Sequence, residues 1–133
     1  MRAKLMMVPV VVLAVTAVLG GTAMAEDNGS ATPRVANTTV TIQAQGTDLS
    51  GTVSSPDPAR CANNRTVILM KQIGPRGGGD DVRIASDTAS RQGNTYRWDT
   101  GNTGIQGRFY AKVRPIPGCR GDTSPTIRAI RNP

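Results

Sequence analysis

Short stretches in which apolar and polar residues alternate follow one another along the chain from residue 38 to the C-terminus. Alternation with a period of two is typical of strands with one buried face. No stretch in this region carries the period of an amphipathic helix over the dozen or so residues that a helix needs. Gly, Pro, Asn and Asp separate the stretches and supply turn signals. The pattern predicts strands at TVTIQA, LSGTV, RTVILMK, DVRIAS, TYRW, RFYAKV and TIRA.

Seven short strands in about 95 residues, with a turn signal every ten or so, favour two antiparallel sheets packed face to face. We therefore expect an all-β fold, a single seven-stranded two-sheet sandwich over residues 37–131. The apolar run in RTVILMK is typical of a central strand buried on both faces. Trp98 is expected in the core, and the GPRGGGDD segment at 74–81 is expected to be a flexible loop.

The N-terminal residues have a different pattern. Two basic residues precede an apolar run at 5–19, and Ala-Met-Ala at 23–25 supplies the small residues that a signal peptidase reads. Residues 1–25 are therefore predicted to be a cleaved signal peptide, with no transmembrane segment after cleavage. Residues 26–36 have little to bury and are expected to form a flexible leader. The mature protein is expected to be secreted, either free or associated with the cell wall.

Two cysteines, Cys61 and Cys119, remain in the predicted mature chain. In an exported protein such a pair most simply forms one disulfide. The bridge would close a loop of about 59 residues, which the chain-entropy model values at about 4 kcal/mol. A domain of this size has a total stability on the order of 5–10 kcal/mol, so the reduced protein is expected to be marginal or unfolded.

Catalytic chemistry is largely excluded by residue content. The chain has no histidine, which excludes Ser–His and Cys–His dyads and removes the commonest zinc ligand. Asp80 and Asp81 lack the regularly spaced further oxygen ligands of a calcium loop. We therefore predict a non-enzymatic protein with no catalytic residues, no metal and no cofactor. A small enzyme of unfamiliar type would require Asp87, Asp99 or Asp122 to meet in one cleft.

The predicted mature chain is basic, with 14 Lys and Arg against 9 Asp and Glu and a net charge of +5. In RFYAKV the apolar residues are expected to face the core, which turns the intervening positions outward. A face of this kind, with the loop at 76–81, suits an anionic polymer such as a cell-wall teichoic acid or acidic glycan. An ordinary solvated sheet face has the same pattern, and the single aromatic argues against nucleic acid. The residues of this candidate binding face are Arg108, Tyr110, Lys112 and Arg114.

The tripeptide Arg120-Gly121-Asp122 directly follows Cys119, so a disulfide would hold its base in place. An exposed Arg-Gly-Asp loop is an integrin ligand. The same residues are also typical of a pinned corner in which the Asp accepts hydrogen bonds from neighbouring backbone N–H groups, and we favour the corner. The preceding Pro-Ile-Pro-Gly-Cys segment at 115–119 is rigid. It supports an alternative function, a secreted inhibitor that presents this disulfide-anchored loop to a protease or other enzyme.

The motifs CANNRTVILMKQ, SDTAS, YRWDTGNTG, GRFYAKV and GCRGDTS, in this order, resemble small secreted proteins and modules common in actinobacteria. The resemblance covers residues 38–129 and implies an immunoglobulin-like or transthyretin-like sandwich, including those called carboxypeptidase regulatory-like. It implies a fold and no function, because the family has no established biochemical role. The leading hypothesis is an exported, non-enzymatic binding or structural module of the cell envelope or medium.

Overall fold

The computed structural model describes residues 34–132. The predicted signal peptide at 1–25 and the leader up to residue 33 lie outside the described residues. Within them, the chain forms two antiparallel sheets of five strands each, and one helical turn, α1 (Pro58–Cys61), connects them. The strands are β1 (Thr39–Val40), β2 (Gln43–Gln45), β3 (Asp48–Ser54), β4 (Thr66–Gln72), β5 (Val82–Thr88), β6 (Ser90–Gln92), β7 (Thr95–Asn102), β8 (Gly107–Val113), β9 (Asp122–Thr123) and β10 (Ile127–Ala129).

The first sheet has the strand order β1-β3-β7-β6, and β2 also pairs with β3. β1 and β2 are two parts of one predicted strand, which is interrupted after Val40. At the interruption the indole Nε1 of Trp98 donates a hydrogen bond to the carbonyl oxygen of Thr41 at 3.0 Å. Gly51 permits this approach, because a Cβ there would lie 2.0 Å from the Thr41 oxygen. Trp98 is fully buried, which confirms its predicted place in the core.

The second sheet has the order β10-β8-β4-β5, and β9 pairs with the other end of β8. β9 and β10 are separated at Ser124, a buried residue whose hydroxyl accepts a hydrogen bond from the Ala111 N–H at 2.8 Å. The hydroxyl takes the place of a backbone carbonyl, so no ladder donor is left unpaired. The interrupted β1/β2 strand, the additional strand β9 and the short β6 give ten strands where seven are predicted.

One hydrophobic core lies between the sheets and receives side chains from both. The run Val67-Ile68-Leu69 in β4 is buried at every position, as predicted for a central strand. Every member of the core cluster is at most 2% exposed. The cluster consists of Val40, Leu49, Val53, Ala62, Val67, Leu69, Ala89, Trp98, Phe109, Ala111, Val113 and Ala129.

An aspartate joins the two sheets at each lateral edge. At one edge the Asp87 carboxylate in β5 accepts a hydrogen bond from the backbone N–H of Asp99 in β7, at 2.7 Å. At the other edge the Asp122 carboxylate in β9 accepts one from the N–H of Val40 in β1, at 2.8 Å. The expectation that Asp122 bonds neighbouring N–H groups is therefore wrong: its partner is 82 residues away and in the opposite sheet.

The disulfide between Cys61 and Cys119 is present, as predicted, and both residues are buried. It connects α1 to the turn that precedes β9, at the end of the sandwich where β3 ends and β4 begins. Ala36 forms an isolated bridge with Cys119, and its N–H donates to the Gly118 carbonyl oxygen at 3.0 Å. Among the described residues, backbone pairing therefore starts at Ala36, the last residue of the predicted leader.

Candidate functional site

Three residues of the candidate binding face, Arg108, Tyr110 and Lys112, belong to β8, and Arg114 directly follows the strand. The apolar residues between them, Phe109, Ala111 and Val113, are buried, as the alternation predicts for these three positions. The four outward residues differ in exposure. Lys112 and Arg114 are exposed and Arg108 is half-buried, but Tyr110 keeps only 6% of its surface exposed.

Tyr110 is covered by the 74–81 loop. Its hydroxyl donates a hydrogen bond to Asp81 Oδ2 at 2.6 Å, and the guanidinium carbon of Arg76 lies 4.6 Å from the ring centroid. The Asp81 carboxylate also accepts from the backbone N–H groups of Ile73 and Gly77, both at 3.2 Å. The loop predicted to be flexible is thus fastened to the sheet. Tyr110 is closed to a stacked ligand in this arrangement.

The contact between loop and sheet changes the ionisation of both partners. Burial, followed by the hydrogen bond to Asp81, raises the pKa of Tyr110 to about 12. The hydrogen bond from Tyr110 is the main cause that lowers the pKa of Asp81, and backbone donors add to it. At neutral pH the phenol is therefore protonated and the carboxylate ionised, which is the combination that the hydrogen bond requires.

Two cations of this region also bond to the backbone. Arg108 donates to the carbonyl oxygen of Ile73 at 3.1 Å, at the base of the loop. Arg76 donates to Thr126 Oγ1 at 3.2 Å and to the Ser124 carbonyl oxygen on the sheet edge. The half of the predicted face that contains Arg108 and Tyr110 is therefore occupied by the protein's own loop. The half that contains Lys112 and Arg114 remains open.

A depression of about 330 Å³, the arginine pocket, lies beside the open half of the face. Arg83 from β5 and Arg114 after β8 are exposed on its two sides. Ile68 of β4 lies between them, and Lys112 is its cross-strand neighbour. No carboxylate is among the lining residues, which are Asn64, Arg65, Thr66, Ile68, Arg83, Arg114 and Ile116.

Arg65, which the sequence analysis did not select, is 3% exposed. Its Nη1 donates to Thr38 Oγ1 at 3.1 Å and to the Cys61 carbonyl oxygen at 2.8 Å. Its Nη2 donates to the carbonyl oxygens of Arg114 at 2.6 Å and Arg120 at 3.3 Å. Burial lowers the pKa of the guanidinium, yet an arginine stays charged at physiological pH. The buried cation therefore holds the backbone beneath the arginine pocket.

The carboxylates mostly bond to N–H and O–H donors instead of cations. Within residues 34–132 one ion pair forms, between Arg60 and Asp57 at 3.1 Å. Asp81, Asp87, Asp99 and Asp122 all accept hydrogen bonds from backbone N–H groups. The positive charge of the described chain is thus left largely without carboxylate partners.

A second and larger cleft, the Tyr96 cleft, has a volume of about 490 Å³ and lies at the same end of the sandwich, beside the first sheet. The ends of β3 and β7, the β6–β7 turn and α1 form its walls. No carboxylate lines it. The lining residues are Thr52, Val53, Ser54, Ser55, Pro58, Ala59, Arg91, Asn94, Thr95 and Tyr96.

The aspartates considered for catalysis do not meet. Asp87 and Asp99 are neighbours at one lateral edge, whereas Asp122 lies at the opposite edge. In the part of the chain described by the structure, no group of three or more acidic or cysteine residues is arranged to hold a metal ion.

In the Arg-Gly-Asp tripeptide, Gly121 lacks space for a side chain, because a Cβ would lie 2.7 Å from the Val113 carbonyl oxygen. Asp122 belongs to β9, so the tripeptide lies at the end of the connection that joins β8 to β9 within the second sheet.

The segment considered as an inhibitory loop is a tight turn. The N–H of Ile116 donates to the carbonyl oxygen of Cys119 at 3.1 Å, and the N–H of Cys119 donates back at 2.9 Å. Gly118 has a φ of 82°, which suits glycine at the third position of a type II turn after Pro117. Ile116, the first residue of the turn, is 42% exposed.

The sequence matches no protein-family model, and no curated protein is significantly similar to it. Among residues 34–132, none of the helical structure has the length and hydrophobicity to cross a bilayer. The arginine pocket and the Tyr96 cleft are the candidate binding sites of these residues.

Proposed function

We propose that this protein is an exported, non-enzymatic binding module that recognises an anionic polymer through the arginine pocket and the adjoining Lys112. The observation that carries the proposal is the grouping of Arg83, Lys112 and Arg114 from three elements around Ile68, with no carboxylate among the lining residues. Oppositely charged partners are drawn to such a surface over several ångströms before contact.

The proposal includes export and a fold assignment. The signal-peptide pattern at the N-terminus supports secretion to the medium or cell wall, and the disulfide is compatible with an oxidising compartment. The motif resemblance and the two-sheet architecture support an immunoglobulin-like or transthyretin-like sandwich. The absence of histidine and the bridged cysteines support a role without catalysis.

The chemistry of the pocket suits phosphate or carboxylate groups. A guanidinium presents parallel N–H donors that match either group bidentately, and such charged hydrogen bonds are about twice as strong as neutral ones. The backbone carbonyl of Arg114 is held by Arg65, so the pocket wall is fixed before a ligand arrives. Ile68 and Ile116 supply apolar wall on which the polymer's carbon backbone can pack.

The test is the affinity of the oxidised mature protein, residues 26–133, for polyphosphate, a polyanion that carries no sugar ring, at about 50 and 150 mM salt. The triple variant Arg83→Ser, Lys112→Ser, Arg114→Ser should lose about 10- to 100-fold in affinity, since each exposed charged contact contributes about 0.5–1 kcal/mol. Arg108 is left unchanged because it holds the 74–81 loop.

The control removes the same charge elsewhere, in Arg34→Ser, Arg97→Ser, Arg128→Ser. This variant should keep most of the affinity, and both variants should melt near the temperature of the parent. If both triple variants lost affinity equally, binding would depend on the net charge of the protein, and the arginine pocket would not be the binding site. Unchanged affinity in the pocket variant would reject the proposed function.

No observation favours the inhibitor as a second function. Proteases commonly bind an extended segment by pairing with its backbone groups. In the turn at 116–119 the backbone groups of Ile116 and Cys119 are already bonded to each other.

A further inference from the structure

The Tyr96 cleft differs from the arginine pocket in size and lining. Its volume of about 490 Å³ lies in the range of small-molecule sites. Pro58 and Ala59, which are exposed, supply apolar wall, while most of the other lining residues carry a hydroxyl, amide or guanidinium. A cleft with apolar walls and a few convergent polar groups is suited to an amphipathic molecule more than to a small ion.

Tyr96 supplies an aromatic surface. It lies across the strand ladder from Val53 and packs against the core while it also lines the cleft. The ring is half-buried, so its position is set by packing and a part of it faces the cleft. Tyrosine offers both an apolar ring and a polar hydroxyl to a ligand.

Arg91 supplies the charge. It is the cross-strand neighbour of Tyr96, and its Nε donates to the carbonyl oxygen of Gly93 in the hairpin turn at 3.0 Å. This bond uses the nitrogen nearest the side-chain stem and leaves the terminal nitrogens to the cleft. Arg91 is the one charged residue among those that line the cleft.

We propose that the Tyr96 cleft binds a six-membered sugar ring that carries one carboxylate, such as a uronic acid unit. The carboxylate pairs with Arg91, the apolar side of the ring packs on Tyr96, and the sugar hydroxyls bond to polar groups of the rim that include Asn94. A phosphate ion would leave the apolar wall without a partner. A purely apolar ligand would cover a guanidinium without pairing it, which is costly.

This site is separate from the arginine pocket, because the two share no lining residue. They lie on either side of the connection that runs from α1 to β4. The proposal for the cleft therefore stands or falls independently of the proposed function.

The test is isothermal titration of the oxidised mature protein with a galacturonic acid trisaccharide, alongside a neutral galactose trisaccharide of the same linkage. The uronate should bind, and Arg91→Gln should weaken that binding about tenfold without a matching change for the neutral sugar. Arg97→Gln is the matched control, since Arg97 neighbours Tyr96 on β7 but does not line the cleft. The pocket triple variant should retain binding of the trisaccharide at the cleft, because it changes none of the residues that line the cleft.

Amide chemical-shift changes during the titration locate the bound sugar. Shifts concentrated on the β6–β7 hairpin and α1 are the expected result. Shifts concentrated around Ile68 and Arg83 would overturn the cleft proposal while supporting the arginine pocket. Equal affinity for the neutral sugar, an equal loss in Arg97→Gln, or no binding of the uronate would also overturn it.

Discussion

Replacing Arg65 with methionine removes the guanidinium that joins four segments of the chain at the disulfide end of the sandwich. The bonds to Thr38 and Cys61 are buried, and those to the Arg114 and Arg120 carbonyls are partly buried. Methionine keeps a flexible apolar stem of similar reach, so the cavity left behind is small. The perturbation therefore isolates the charged head group.

The magnitude follows from the four acceptors. Each of the two buried acceptors left without a donor costs about 1–3 kcal/mol, and the two partly buried ones cost less because water can replace the donor. Part of this loss is offset, because the variant no longer keeps a charged guanidinium buried away from water. The net expectation is about 3 kcal/mol, a large share of a stability on the order of 5–10 kcal/mol. It corresponds to a melting temperature lower by about 15 °C.

Chemical denaturation of the oxidised protein measures the effect, with Arg120→Met as the matched control. The Arg120 side chain is exposed in the same corner, so its loss should change the free energy of unfolding by less than about 0.5 kcal/mol. A change below about 1 kcal/mol in Arg65→Met would refute the reasoning, as it would mean that water satisfies all four acceptors. A similar loss in the control would also refute it.

Three further perturbations have defined outcomes. Gly51→Ala should lower the free energy of unfolding, measured by denaturation, by at least about 3 kcal/mol, because its Cβ would lie 2.0 Å from the Thr41 oxygen. A melting temperature equal to that of the parent would contradict this geometry. Replacing Cys61 and Cys119 by serine should cost about 4 kcal/mol, since the bridge spans 58 positions, and a cooperative transition of unchanged midpoint would contradict it. The pKa of Tyr110 is raised to about 12. The stability that its protonated hydroxyl contributes is therefore complete below pH 10 and is lost as the pH rises towards 12. Absorbance titration should show a phenol ionising near pH 12 that Tyr110→Phe removes.

The strands could be predicted because each one requires only local alternation. The interruptions in the edge strands could not, because each depends on a contact between residues far apart in sequence. The Thr41 N–H still donates to the Thr52 carbonyl oxygen in β3, but the Thr41 carbonyl oxygen accepts from the indole of Trp98, 57 residues away. Ser124 interrupts the other edge by bonding to Ala111 through both its N–H and its hydroxyl. No local pattern distinguishes these residues from ordinary strand positions.

The candidate site, like the strands, could be predicted only where local alternation determines it. Alternation placed Lys112 and Arg114 on the outer face, where they are exposed. It could not reveal that the loop glycines let Asp81 return to Tyr110 and close that part of the face. Arg65 carried one local signal, its position four residues after Cys61. No local signal marks Arg83, because its place in the arginine pocket depends on the pairing of β4 with β5.

The distribution of carboxylates explains why the outer face is more cationic than the net charge indicates. Asp87 and Asp122 join the sheets by accepting N–H donors, and Asp81 fastens the loop over Tyr110. These carboxylates are located where backbone donors need acceptors, at the lateral edges and the loop. Where β4 and β8 pair, carbonyl oxygens of the ladder accept the backbone N–H donors, so no carboxylate is needed there. No carboxylate lines the arginine pocket. An anion that reaches the pocket therefore meets guanidinium groups without competing with an internal carboxylate.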